Sequence, residues 1–135
     1  MSIELLEKSE ELGRRAVACQ HWKWLGGMRV VSPAEHSGTT GYTFRVESGY
    51  VAKGGEYPDL TDPATLGGLL ALVREAWNDP TLGVSAARGG RSGRPAGCWH
   101  FHGRKPHRRG FGRRFTGDFF FAEASALVAA LEDAP

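Results

Sequence analysis

Nine basic residues fall between positions 88 and 114, with no aspartate or glutamate among them: Arg88, Arg91, Arg94, Arg104, Lys105, Arg108, Arg109, Arg113 and Arg114. Glycines separate them, and Phe111 and Phe115 are interspersed. A guanidinium fork matches phosphate oxygens two at a time. Glycine lets the backbone follow an irregular polyanion, and phenylalanine can stack on an unpaired base for about 1–3 kcal/mol. The chemistry implied is contact with nucleic acid without sequence readout, because no helix-forming stretch here is poised to enter a groove. The competing reading is a solvated loop that aids solubility or meets an acidic protein patch. The whole chain carries 17 Lys and Arg against 15 Asp and Glu, net +2. With nine of the basic residues in this segment, the remainder holds eight basic and fifteen acidic residues, net −7. Charge this clustered reports on partners, and it favours nucleic acid or a nucleoprotein.

A second constellation is Cys98-x-His100-x-His102 with His107 nearby, and Cys19-x-His21 far upstream. On a strand Cys98, His100 and His102 share one face, so three ligands suited to zinc could converge there. The chain has no pair of cysteines separated by two to four residues. Zinc therefore ranks below the reading in which these residues are one polar strand face. No cofactor is expected. No nucleotide-cradling G-x-x-x-x-G-K-[ST], no G-x-S-x-G and no H-E-x-x-H occurs. Ser85 has no neighbouring base in sequence. Asp59, Asp62, Asp79 and Asp118 sit at turns or helix ends, where capping explains them. Nothing here demands an enzyme.

The elements that must position these residues are legible to different degrees. The clearest helix lies within Leu60–Pro80. Asp62 can cap it and Pro63 suits its first position. Leu66, Leu69, Leu70, Val73 and Trp77 form its apolar stripe, with Arg74 and Glu75 off it. Asn78-Asp79-Pro80 ends it. Gly67 and Gly68 each cost about 1 kcal/mol inside a helix, which predicts close approach of another backbone.

A first helix is predicted from Ile3 to Ala18, capped by Ser2, with Leu5, Leu12 and Ala16 on a face shared with Cys19. Glu4, Glu7, Glu10 and Glu11 face water, and Arg14 and Arg15 suit the C-terminal half. Trp22 and Trp24 are expected to pin this helix to a sheet, with base stacking the lesser reading. Strands are predicted over Met28–Ser32, over Tyr42–Val46 as a half-buried alternating strand, in short form within Gly49–Pro58, over Leu82–Ala87 and over Gly97–His102. Ser37–Gly41 reads as a turn. The basic residues fall in two segments, near 88–96 and 103–114, which read as mobile loops. Phe115–Phe121 reads as the start of a strand. Ala124, Leu127, Val128 and Leu131 mark a last helix near Phe121–Glu132, with Asp118 as an alternative cap that moves its start earlier. The order predicts a single α+β domain over 1–135, with a mainly antiparallel sheet packed with three helices.

Size and composition agree. A chain of 135 residues can bury about two thirds of its unfolded surface in one domain. No apolar run nears the ~20 residues of a membrane span, and Met1–Lys8 lacks the basic-then-apolar order of a signal peptide. A cytoplasmic location is expected, with Cys19 and Cys98 as reduced thiols.

Three blocks carry a family resemblance: A-C-x-H-W-x-W-L-x-G-M-R-V at Ala18–Val30, D-L-T-D-P-A-T-L-G-x-L-L-A-L-V-R-E-A-W at Asp59–Trp77, and E-A-x-A-L-V-A-A-L-E at Glu123–Glu132. In this order they resemble small uncharacterised proteins of tailed phages and prophages of GC-rich bacteria. The blocks cover under half the chain and exclude the arginine-rich segment. The resemblance implies a phage origin, a host bacterial cytoplasm and a shared fold, and it assigns no catalytic residue.

The expectation is a non-catalytic phage accessory protein. Its arginine-rich face would bind nucleic acid or a host nucleoprotein, as an inhibitor of host defence of the anti-CRISPR kind would. An acidic mimic that engages a protein through Glu4, Glu7, Glu10 and Glu11 is the alternative. A metal-dependent enzyme using Cys98, His100 and His102 ranks third.

Overall fold

The first helix, α1, runs over Ile3–Ala18. Glu4 in its first turn and Arg15 in its last match the helix dipole. Ser9, Leu12, Gly13 and Ala16 are buried, the i, i+3, i+4, i+7 spacing of one helix face. Leu5 is only half-buried, and Leu6 remains 53% exposed. A computed structural model describes residues 3–33, 41–86, 99–102 and 122–135, with the backbone alone at 84–86, 99–102 and 122.

Three strands follow: β1 over Arg29–Ser32, β2 over Tyr42–Arg45 and β3 over Tyr57–Pro58. They form an antiparallel sheet in the order β2-β1-β3. Val30 stands opposite both Phe44 and Pro58, and Arg29 stands opposite Arg45. Just before β1, Gly27 N–H donates to the Val46 carbonyl at 2.9 Å, and Val46 N–H donates to the Met28 carbonyl at 3.0 Å. Two residues thus oppose one, a bulge made possible by Gly27 at φ +92°. The bulge is why β1 begins at Arg29 and not at Met28.

The expected alternation in β2 is only partly present. Val46 is buried and Phe44 half-buried, but Tyr42 is 52% exposed. The cause is position, since β2 lies at the sheet edge. Gly13 brings α1 against β3: a Cβ there would lie 2.9 Å from the Pro58 carbonyl oxygen and 3.0 Å from Tyr57 Cδ2.

The second helix, α2, spans Pro63–Ala76. Asp62 caps it, accepting from Thr65 N–H at 3.0 Å and from the Thr65 hydroxyl at 2.9 Å. At the other end Asn78 N–H donates to the Glu75 carbonyl and Asp79 N–H to the Arg74 carbonyl. With Asn78 at φ +51°, this is a Schellman ending. The left-handed asparagine ends the helix before Pro80 is reached.

The buried stripe of α2 also differs from expectation. Thr65, Leu69, Leu72 and Val73 are buried, whereas Leu66, Leu70 and Trp77 are half-buried. Hydrophobic type alone could not choose between two overlapping leucine rows. Of the two glycines, only Gly68 is closely packed, and against a side chain, not a backbone. A Cβ there would meet Met28 Cε at 2.6 Å, while nothing lies within 4 Å of one on Gly67.

The chain forms two compact units, Met1–Gly68 and Leu69–Pro135, with the boundary inside α2. In the second unit β4 (Gly83–Ala86) pairs antiparallel with β5 (Trp99–His102). The third helix, α3, spans Ala122–Asp133 and packs on both strands. Every residue from Ala126 to Leu131 is buried. Trp77 Nε1 donates to the Ala130 carbonyl at 2.9 Å, in the last turn of α3, where carbonyls lack helical donors. Arg74 Nε donates to the Leu82 carbonyl at 2.7 Å and holds the chain entering β4. The class is α+β, with antiparallel pairing throughout the described strands.

Candidate functional site

The candidate binding residues Arg88, Arg91, Arg94, Arg104, Lys105, Arg108, Arg109, Phe111, Arg113 and Arg114 all lie outside the described residues, as do Cys98, His107, Phe115 and Asp118. Their attachment points are described. In the β4–β5 ladder Ala86 stands opposite Trp99 and Gly83 stands opposite His102. The stretch 87–98, with Arg88, Arg91 and Arg94, therefore leaves and rejoins at one end of the ladder. The stretch 103–121 departs from the other end. Three residue steps at roughly 3.4 Å per residue separate the two anchors. The two basic stretches are thus attached at opposite ends of one short hairpin.

The same register sets Ser85 opposite His100, a base-bearing neighbour invisible in linear sequence because the two are fifteen positions apart. Among the described residues no three of His, Cys, Asp and Glu converge as a metal set. Cys19 is half-buried, and its thiol donates to the Arg15 carbonyl at 3.4 Å. His21 Nε2 lies 3.3 Å from Gln20 Nε2.

Asp59, Asp62 and Asp79 do what their turn positions predicted. Asp59 Oδ1 accepts from Thr61 N–H at 3.0 Å and from the Thr61 hydroxyl. Asp79 Oδ1 does the same for Thr81. Asp62 does more than cap. Arg45 Nη1 donates to Asp62 Oδ2 and Arg45 Nη2 to Asp62 Oδ1, each at 2.9 Å, and Nη1 also donates to the Gly27 carbonyl at 2.8 Å. These bonds from Arg45, helped by Thr65, hold the Asp62 carboxyl well below the usual carboxylate range, although burial pushes the other way.

Next to this clip Arg29 N–H donates to the Thr65 hydroxyl at 2.8 Å. Arg29 Nε and Trp22 Nε1 are buried without hydrogen-bond partners among the described residues.

An aromatic chain crosses the first unit. Trp22 and Trp24 meet edge to face at 5.2 Å, Trp24 meets Tyr50 at 5.7 Å and Tyr50 meets Phe44 at 5.8 Å. Phe44 then meets Tyr42 at 5.7 Å, with only 32° between their planes. Trp24 is the buried member, and Tyr42 is the exposed end. Through Tyr50 the two tryptophans connect the segment after α1 to Phe44 of β2. The tyrosines that extend the chain were not anticipated. Tyr50 Oη donates to Glu56 Oε1, which also accepts from Lys53 N–H at 2.7 Å. Burial and this bond to a carboxylate push the Tyr50 hydroxyl up to about 12.

On α1, Glu4, Glu7 and Glu11 are exposed. Glu10 is half-buried and paired on the helix surface, where Arg14 Nη2 donates to its Oε1 at 2.6 Å. The Arg14 guanidinium also lies 5.2 Å from the centre of the Tyr57 ring, within cation–π range.

The described residues define an α+β protein. Comparison with protein-family models, with curated proteins and with solved structures finds no match for this chain. Among the described residues no helix is long and apolar enough to cross a membrane.

Proposed function

We propose that this chain is a non-catalytic accessory protein that binds nucleic acid, or the nucleic-acid site of a host nucleoprotein, through its arginine-rich segments. The observation that carries this reading is the charge division: nine basic and no acidic residues from Arg88 to Arg114, against a net −7 elsewhere. Tethering at both ends of the β4–β5 ladder supports it, because two anchored strings of cations can follow a polyanion over more than one phosphate. The three-block resemblance to tailed-phage proteins makes a role against host defence, of the anti-CRISPR kind, the natural setting in a bacterial cytoplasm.

The test is binding to single- and double-stranded DNA and RNA across a salt series. Each phosphate contact contributes a log–log slope of about −0.7 on single strands and −0.9 on duplex. Reversing Arg108, Arg109, Arg113 and Arg114 to glutamate is expected to abolish binding. Unchanged affinity in that variant overturns the reading.

One observation favours a second reading. Glu4, Glu7 and Glu11 line the exposed side of α1, as an acidic mimic of nucleic acid would require. Changing Glu4, Glu7, Glu10 and Glu11 to glutamine removes this reading if capture of a protein partner is unaffected. The metal-enzyme alternative on Cys98, His100 and His102 predicts stoichiometric metal in the purified protein by elemental analysis.

A further inference from the structure

Nothing in the geometry of α2 requires glycine at position 67. A Cβ there would meet nothing within 4 Å. The glycines with a positive φ, the conformation that calls for this residue, are Gly27, Gly49 and Gly55. Gly67 is exposed, and inside a helix only proline is a poorer former. Its neighbour Gly68 does have a packing reason, since a Cβ there would lie 2.6 Å from Met28 Cε. What Gly67 adds to Gly68 is backbone freedom over two successive residues, with main-chain groups open to water. Glycine pairs are among the few places where helices bend sharply.

The place of the pair in the chain gives that freedom a consequence. The first compact unit ends at Gly68 and the second begins at Leu69, so the division falls beside the glycines. Before the pair, the helix start is held by residues of the first unit. Asp62 caps it and pairs with Arg45, and the Thr65 hydroxyl accepts from Arg29 N–H at 2.8 Å. After the pair, the helix end is held by residues of the second unit. Arg74 Nε donates to the Leu82 carbonyl at 2.7 Å, and Trp77 Nε1 donates to the Ala130 carbonyl at 2.9 Å. A stiff helix transmits any displacement of one end to the other. A helix that gives way at Gly67 leaves both sets of anchors intact.

We infer that Gly67-Gly68 is a joint in α2, a conformational device at which the helix opens and bends while its two anchored ends keep their bonds. This goes beyond the binding reading above and does not depend on it. Opening at the joint breaks the backbone bonds that span both glycines. In an α-helix these run from Leu69 N–H to the Thr65 carbonyl and from Leu70 N–H to the Leu66 carbonyl. Val73 N–H reaches back only to Leu69 and is spared. Leu69 is fully buried, so weak protection of its amide would have no explanation in exposure.

The test is native-state amide hydrogen exchange, read residue by residue in the full chain, for wild type and Gly67→Ala. Local opening lowers protection only where bonds break. Corrected for intrinsic rates, the Leu69 and Leu70 amides of wild type are expected to exchange about tenfold faster, or more, than two references. One is the Val73 amide in the same helix. The other is Val46 N–H, which bonds the Met28 carbonyl in the first unit. Because the joint exposes little surface, exchange at Leu69 and Leu70 is expected to be insensitive to low urea, whereas global unfolding accelerates with it. Gly67→Ala favours the closed helix and is expected to slow Leu69 and Leu70 by roughly two- to fivefold. Protection at Leu69 and Leu70 equal to that of Val73, with the same urea dependence, overturns the joint. Fast exchange that Gly67→Ala leaves unchanged overturns it as well, since the opening then does not pass through Gly67.

Discussion

Arg45 and Asp62 are seventeen positions apart and meet through two parallel hydrogen bonds of 2.9 Å, one from each guanidinium Nη to each carboxylate oxygen. Asp62 at the same time caps α2 through Thr65, and Arg45 also holds the Gly27 carbonyl at the bulge. One carboxylate therefore ties the edge strand, the bulge and the start of the helix. Its side chain is 5% exposed, while that of Arg45 is 51% exposed.

This arrangement makes stability sensitive to acid. The folded state holds the Asp62 carboxyl below its ordinary value, and the unfolded chain titrates near the usual aspartate value of about 3.9. The stabilisation is complete above that value and is lost progressively as the pH falls below it, through the depressed folded value. Urea midpoints measured from pH 6 to pH 2 should fall in the wild type and run flatter in Asp62→Asn. Asparagine still caps, so that variant is expected to cost about 1 kcal/mol at pH 7. Asp62→Ala loses the cap as well and is expected to cost about 2–3 kcal/mol. Equal costs for the two would assign the whole effect to the charge pair.

Two helical glycines should respond in opposite directions to the same change. Gly67→Ala meets nothing within 4 Å and removes a poor helix former, so it is expected to stabilise by about 0.5–1 kcal/mol. Gly13→Ala drives a methyl group onto the Pro58 carbonyl, a backbone atom that cannot rotate away, and is expected to cost about 1–3 kcal/mol. Denaturant midpoints of the two single variants check the sign of each.

Tyr50 sets the behaviour at the alkaline end. Its folded-state hydroxyl is pushed up to about 12, and the unfolded chain ionises near 10. The stabilisation is present below about pH 10 and is lost as the pH rises from there through 12. Ultraviolet difference titration should show one of the three tyrosines ionising late. In Tyr50→Phe the late step should be absent and the fall in stability between pH 10 and 12 should be shallower. A late step that persists in Tyr50→Phe would assign it to another ring.

What the sequence revealed follows the range of the interactions. Asp62-Pro63 marked the start of α2 because capping is settled within four residues. The end was placed correctly at Asn78 for an incomplete reason, since Pro80 drew attention from the left-handed asparagine. Leu72 was missed because two leucine rows satisfy the same periodicity, and only tertiary packing selects between them. Gly68 signalled close packing correctly, but its partner Met28 is forty positions away. The grip of Arg45 on Asp62, the shared Glu56 oxygen between Tyr50 and Lys53, and the ring chain ending at Tyr42 join residues that no local pattern links. The arginine-rich segments were the reverse case, conspicuous in composition and carrying no periodicity that places a side chain.

The pairing of Ala86 with Trp99 bears on how the basic charge is divided. Residues already facing each other across an antiparallel ladder are a distance apart that a two-residue Asn-Gly turn closes. Replacing 87–98 with such a turn excises Arg88, Arg91 and Arg94 at a hairpin tip while β4, β5 and the attachment of the other six cations keep their register. Scaffold and cargo are separable at that point. The charge could be trimmed, doubled or exchanged there in natural variation as readily as in the laboratory.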